Sequence, residues 1–170
     1  MMVLFSLFVD VSGSNCAIPM SQIDESMDYS APELLERIPE GEEPAGYLKV
    51  HSLRQLLWGD RPEWHGRKTF HTLRFKEANG EQDAFIVDDF LSIEEAIVQS
   101  VDSYVSAVGL QGATVRKDGS VALVLNSENI VKLAQEAPVY AYVKKRELIS
   151  AKEAEANLSD FLGLNGDKLA

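Results

Sequence analysis

The stretch Ser92-Ile93-Glu94-Glu95-Ala96-Ile97-Val98-Gln99-Ser100-Val101-Asp102-Ser103-Tyr104-Val105-Ser106-Ala107-Val108 decides the fold, because it has two readings that lead to different proteins. Ile93, Ala96, Ile97, Val101, Tyr104, Val105 and Val108 recur at helical spacing, and Ser92 with Glu95 matches a capping box. Local rules therefore favour one helix. The flanks favour strands. Thr69-Phe70-His71-Thr72-Leu73-Arg74-Phe75 alternates polar and apolar residues at period two, as a half-buried strand does. Ala78-Asn79-Gly80-Glu81 carries the Asn-Gly pair of a tight hairpin, and Asp83 to Leu91 reads as the returning strand. Ala113 to Lys117, Asp118-Gly119, and Val121 to Leu125 form another hairpin.

Working outward, the N-terminal half has the same character. Val3 to Val11 is β-branched and aromatic, Ser12-Gly13-Ser14-Asn15 is a turn, and Cys16 to Met20 is apolar again. Ser30-Ala31-Pro32-Glu33 starts a short helix expected to run through Arg37, with Ser at the N-cap and Pro in the first turn. Pro39 to Pro44 is an exposed loop, Gly46 to Leu53 a strand entering a helical turn over Leu53 to Trp58, and Gly59 to Gly66 a polar connector. A second short helix is expected from Ser127 to Gln135 and a final strand from Val139 to Val143. In the tail, Ser150 and Glu153 make another capping-box pattern. Ala151, Ala154, Leu158, Phe161 and Leu162 share one face of a helix that Gly163 can stop.

Composition narrows the function classes. The chain has 170 residues, 45% of them hydrophobic, which is enough for a real core. The net charge of -11 disfavours nucleic-acid backbones and anionic membrane surfaces alike. The single cysteine, Cys16, has no internal disulfide partner and fits a reducing compartment. The apolar N-terminus is interrupted by Asp10 and preceded by no Lys or Arg, so it reads as a strand rather than a signal peptide. Gly13-Ser14-Asn15-Cys16 superficially resembles a lipoprotein cleavage site, but the basic leader is missing. No apolar run approaches the roughly 20 residues of a membrane span. The expected location is the cytoplasm.

No catalytic constellation is visible. His51, His65 and His71 show no metal-ligand spacing, and one cysteine cannot complete a zinc site. Cys16 lies in an apolar strand without a basic neighbour. There is no Gly-x-Ser-x-Gly elbow and no glycine-rich phosphate loop. Glu94 and Glu95 read as a solvated face. Phe85-Ile86-Val87-Asp88-Asp89 looks like the acidic strand end of a response-regulator receiver. The acceptor Asp such a domain needs further on is missing, since Leu133-Ala134-Gln135-Glu136-Ala137-Pro138 stands near the expected distance. The simpler reading is a buried strand leaving the core at Asp88. The expectation is no enzyme activity, no metal and no cofactor.

Two segments together carry a specific resemblance. Phe85-Ile86-Val87-Asp88-Asp89-Phe90-Leu91 runs into Glu95-Ala96-Ile97-Val98. Gly109-Leu110-Gln111-Gly112-Ala113-Thr114 precedes Asp118-Gly119-Ser120-Val121-Ala122-Leu123-Val124-Leu125-Asn126. They resemble the C-terminal lobe of CheW-like domains, a family that includes the chemotaxis coupling protein CheW and the regulatory domain of the histidine kinase CheA. The family's pattern ends that last strand in Asp, where this chain has Asn126. Ala17-Ile18-Pro19-Met20-Ser21-Gln22-Ile23-Asp24-Glu25 and Gly46-Tyr47-Leu48-Lys49-Val50-His51-Ser52-Leu53 match the N-terminal lobe more loosely. Pro44 and Ala45 replace the usual arginine-glycine pair. The short form is similar to the version fused within kinases that control surface motility.

The resemblance implies a mainly β fold of two small intertwined five-stranded barrel lobes with short helices, followed by the C-terminal amphipathic helix. It covers about Val3 to Gln135, so that 1–137 is expected to be the domain and 138–170 an extension of a strand plus an amphipathic helix, and it makes the stretch after Ser92 a strand and then a short turn. It implies a non-catalytic adaptor in bacterial chemosensory signalling, coupling chemoreceptors to a CheA-type histidine kinase, with recruitment to membrane-bound receptor arrays as part of that expectation. One lobe would pack on the kinase regulatory domain, and a groove between the lobes would take the helical tip of a chemoreceptor. Ile23 and Glu25 match the groove-side segment; the plainer assignment is Ile23 in the core and Glu25 in solvent. Asp88, Gly109, Gly112, Ala113, Thr114, Asp118 and Gly119 are structural motif positions. A receiver-like phosphotransfer partner and an orphan barrel that binds a small molecule are the alternatives. The tail helix has two: docking on its own barrel, or binding a partner.

Overall fold

In the computed structural model, residues 2–62, 66–76, 83–100, 110–146 and 163 are described. The stretch Ser92 to Ser100 is a strand, not a helix. It forms most of β7, Asp89–Ser100, which lies against β1, Met2–Val11, with Val3 opposite Ile97 and Leu7 opposite Ile93. Ala96 and Val98 face inward and are buried, whereas Ile93 and Ile97 face outward. An apolar residue at Ile93 and at Ile97, with Ala96 between, imitates the helical period although both faces belong to a strand. Ser92, the cap of the helical reading, instead donates its hydroxyl to Glu94 at 2.8 Å and receives Arg116 at 3.2 Å. The continuation over 101–108 lies outside the described residues, as do the Asn79-Gly80 turn, His65, Gly109 and all of the tail helix but Gly163.

The first lobe is a closed barrel in the order β1-β2-β9-β8-β7. Its other members are β2 (Ser14–Pro19), β8 (Leu110–Val115) and β9 (Val121–Leu125). The β1–β2 hairpin turns through Ser12 and Gly13, and the β8–β9 hairpin through Asp118-Gly119, where Gly119 takes a φ of +86°. Phe8, Ala17, Ala96, Val98, Ala122 and Val124 fill the barrel. Small residues on three strands leave room for the one large ring.

The second lobe is a five-stranded sheet in the order β10-β4-β6-β5-β3. It comprises β3 (Ile23–Ser30), β4 (Tyr47–Ser52), β5 (Thr69–Phe75), β6 (Ala84–Val87) and β10 (Ala141–Lys144). It is a half-barrel. Its edges β3 and β10 do not pair with each other; Leu35 and Tyr142 exchange backbone hydrogen bonds of 2.8 and 2.7 Å instead. The helix expected from Ser30 to Arg37 is a single 3-10 turn, Ala31–Glu33. Glu33 accepts the Ser30 N–H and hydroxyl at 3.1 and 3.0 Å, and the chain then leaves the turn so that Leu35 can bridge to β10. The final strand starts at Ala141, two residues later than expected.

Asp83 to Leu91 is not one strand. It bends at Asp88, so that β6 belongs to the half-barrel and β7 to the barrel. The chain thus passes from barrel to half-barrel, back, and out again to β10. Between the lobes lies a shared core that draws Leu7, Val9 and Val11 from β1, Cys16 and Ile18 from β2, and Phe75 and Phe85 from the half-barrel. Two helices close it: α1 (Leu53–Trp58), capped by the Ser52 hydroxyl, and α2 (Ser127–Glu136), capped by Asn126 accepting the Asn129 N–H at 3.2 Å. Asn126, where the family has Asp, retains the capping oxygen.

Candidate functional site

The site grows out of the point where β2 leaves the barrel. A 3-10 turn, Met20–Gln22, carries the chain across to Ile23, the first residue of β3. Gln22 fixes this crossing. Its carbonyl accepts the Lys76 N–H at 2.9 Å, its side-chain oxygen accepts the Ser127 N–H at 3.1 Å, and its amide reaches Gln111 at 3.4 Å. One residue thereby ties the half-barrel to α2 and to β8. Nothing in the residue type announces that role, and only the folded arrangement makes it visible.

Beside the crossing is a groove between the lobes with a volume of about 330 Å³. Leu7 from β1, Met20 from the turn, Ile23 from β3, and Phe90, Leu91 and Ile93 from β7 supply its apolar lining; Ser26 and Ser92 are the polar residues. Ile23 is half-buried and packs on the shared core, so it is both core and groove wall. Leu91 and Ile93 are 40% and 53% exposed. Beyond the exposed Glu95, which stands opposite Phe5, the outer face of the β1–β7 pair also carries Phe5, Val3 and Ile97, each more than half exposed. Five large apolar side chains on one sheet face exceed what scattered surface hydrophobics account for.

Glu25 lies two residues along β3, across a bulge, and pairs with Arg74 at 3.5 Å. The other motif residues do not join the groove. Asp88 occupies the β6–β7 bend, where Arg67 approaches to 3.5 Å. Gly112, Ala113, Thr114, Asp118 and Gly119 build the β8–β9 hairpin. Asp118 accepts the Ser120 N–H at 2.9 Å and its hydroxyl, which holds the carboxyl below the usual carboxylate range. His51 packs on Phe85 and meets Asp83 at 2.8 Å, and His71 meets Asp28 at 2.7 Å; both are strand residues paired with carboxylates. Among the described residues, no three His, Cys, Asp or Glu side chains converge, and no helix is long and apolar enough to cross a membrane.

A sequence model of the CheW-like domain matches residues 6–135, which takes in both lobes from β1 to α2. The chain belongs to the CheW-like domain family. Among solved structures it is similar to the scaffolding protein TtCheW from Thermoanaerobacter tengcongensis. The TM-score is 0.48 and the identity 12%, over 74% of this chain and 90% of that chain. A comparison with curated proteins found no match. CheW-like domains are protein–protein interaction modules of chemotaxis signal transduction, and this one presents its apolar surface at the junction of its lobes.

Proposed function

We propose that this chain is a non-catalytic coupling adaptor. Its inter-lobe groove takes the helical tip of a chemoreceptor, and one of its lobes packs on the regulatory domain of a CheA-type histidine kinase. The work is done on the cytoplasmic side of receptor arrays. The observation that supports this is the apolar groove formed by Leu7, Met20, Ile23, Phe90, Leu91 and Ile93 and the further apolar residues on the exposed β1–β7 face. A helix laying an apolar stripe into such a groove buries surface on both partners, which is the recurrent helix-in-groove mode of recognition. Ile23 supplies an anchor wall, and Glu25, held by Arg74, a charged rim. A small-molecule site would need convergent polar groups, and the groove's polar lining is two serines.

Sedimentation velocity of the full chain mixed with a receptor-tip fragment and a kinase regulatory domain tests the reading. A single ternary species is expected. Failure of the chain to bind either component contradicts it.

A further inference from the structure

We propose that one end of the half-barrel's concave face is a binding site for a small organic carboxylate with an apolar body. The site shares no lining residue with the inter-lobe groove. The inference goes beyond the adaptor reading and does not depend on it.

Strand alternation builds the site. The concave face of the half-barrel is apolar, with Leu48, Val50, Phe70, Ala84 and Val143 buried against one another. Two cations end that face. Arg74 follows Phe70 and Thr72 at period two along β5. The Lys145 N–H donates to the Gly46 carbonyl at 2.9 Å, which carries the β10–β4 ladder past Lys144 and puts Lys145 on the side of Val143 and Leu48. With Ile38, Pro44 and Ala45, these ends bound a concavity of about 430 Å³. That size belongs to small-molecule sites.

The chemistry of the lining selects the ligand. The chain carries a net charge of -11, yet the charged lining residues are Lys49, Arg74 and Lys145 against Asp83 alone. Asp83 is already engaged, since it meets His51 at 2.8 Å. Glu25 approaches Arg74 only at Nη1, at 3.5 Å. The Arg74 Nε is buried and has no acceptor. A buried N–H left unpaired is destabilising, and an incoming oxygen relieves it. A guanidinium presents its N–H groups as a planar fork that matches the two oxygens of a carboxylate. Lys49 and Lys145 are exposed and add positive charge beside that fork. Leu48 and Ile38 offer apolar surface to the rest of the ligand, as do the rings of Tyr47 and Tyr142. The Tyr47 hydroxyl is itself taken by Glu42. The inter-lobe groove has no such convergence of donors.

Amide NMR of the full chain, titrated with sodium benzoate at constant ionic strength, tests the proposal. The Leu48, Lys49 and Lys145 amides are expected to shift saturably, while those of Leu91 and Ile93 in the groove stay in place. Benzamide, the neutral isostere, and acetate, which lacks the apolar body, are each expected to bind about tenfold more weakly or worse. Arg74→Lys keeps the charge and removes the fork, and should weaken benzoate binding by about tenfold. Lys145→Gln changes an exposed residue and should weaken it by about threefold, which keeps the test open if Arg74→Lys disturbs the fold. No saturable shift up to about 10 mM benzoate overturns the proposal. So do equal binding of benzamide, shifts centred on the groove, or an unchanged benzoate affinity in Lys145→Gln and in folded Arg74→Lys. Neither receptor nor kinase is present, so the outcome bears on this site alone. Phenyl phosphate binding more tightly than benzoate at the same amides would overturn the carboxylate assignment in favour of a phosphate ester.

Discussion

The Asp88 carboxylate accepts the backbone N–H of Ser12, which sits in the left-handed region at φ 57°. The Asp88 N–H in turn donates to the Asp10 carbonyl at 2.9 Å. The β6–β7 crossover is thus clamped onto the β1–β2 turn, a second tie between the lobes beside Gln22. Asp88→Ala removes a charge-assisted acceptor, at a cost of about 1.5–3 kcal/mol. Asp88→Asn keeps an acceptor oxygen and should recover part of the loss. Thermal melts of the two variants check this, and equal melting temperatures for Asp88→Ala and the parent would refute the clamp.

The same geometry bears on phosphoryl chemistry. Asp88 is engaged by Ser12 and Arg67 at a bend, and its partners are structural. Acetyl phosphate should leave Asp88 and Asp89 unmodified, as read by intact mass. A stable adduct of one phosphoryl group on either would contradict the adaptor reading and favour phosphotransfer.

Gly112 is required by close approach. A Cβ built there would lie 2.3 Å from the Gln99 carbonyl oxygen and 2.7 Å from a Val98 methyl. The nearer atom is backbone of the paired strand, so it cannot rotate away. Gly112→Val should therefore cost about 1–3 kcal/mol. In a chain of this size that lowers the melting temperature by roughly 2–4 °C for each kcal/mol. Gly112→Ala should also destabilise, which distinguishes steric approach from a simple intolerance of β-branching.

Cys16 is fully buried in the shared core, and burial, with a smaller push from Asp10, raises its thiol to about 12. Below the ordinary value of 9.0 the thiol is neutral in both states, and its burial in neutral form is fully present. As pH rises from there toward 12, the unfolded chain releases the proton and the folded chain retains it, so stability is lost. The difference in melting temperature between the parent and Cys16→Ala should shift against the parent over that interval. A thiol reagent should label Cys16 at about pH 8 only on unfolding.

Much of this fold is legible in the sequence because its strands obey one rule at a time. Thr69–Phe75, Tyr47–Ser52 with Leu53–Trp58, and the β8–β9 hairpin are marked by alternation, a serine cap and an Asp-Gly turn. β7 is harder, since its outer face carries Leu91, Ile93 and Ile97 as well as Glu95. Ile93 and Ile97 point away from the barrel, and together with Ala96 they counterfeit a helix. The ambiguity comes from the surface proposed to bind a partner: a residue kept apolar for an interface breaks the inside–outside code that identifies a strand. The change of sheet at Asp88 is hard to read for a different reason. Asp88 marks where the strand leaves the core, but a strand that changes sheets keeps its apolar run, and only the long-range tie to Ser12 shows that it bends there into a second sheet. Ile23 lies in the segment that resembles the family's groove side, and the structure places it in the groove wall and against the core. Nothing in the sequence marks Phe90, Leu91 and Ile93 as the facing wall, because that place depends on how the two lobes meet.

The most direct test of the central claim is calorimetric titration of a chemoreceptor-tip fragment into the full chain and into Ile93→Glu, with a kinase regulatory domain titrated in parallel. Ile93 is 53% exposed, so a charge there should leave the fold intact. Ile93→Glu is expected to weaken tip binding by about tenfold or more, as for a residue at an interface centre. Unchanged tip affinity in Ile93→Glu would contradict it.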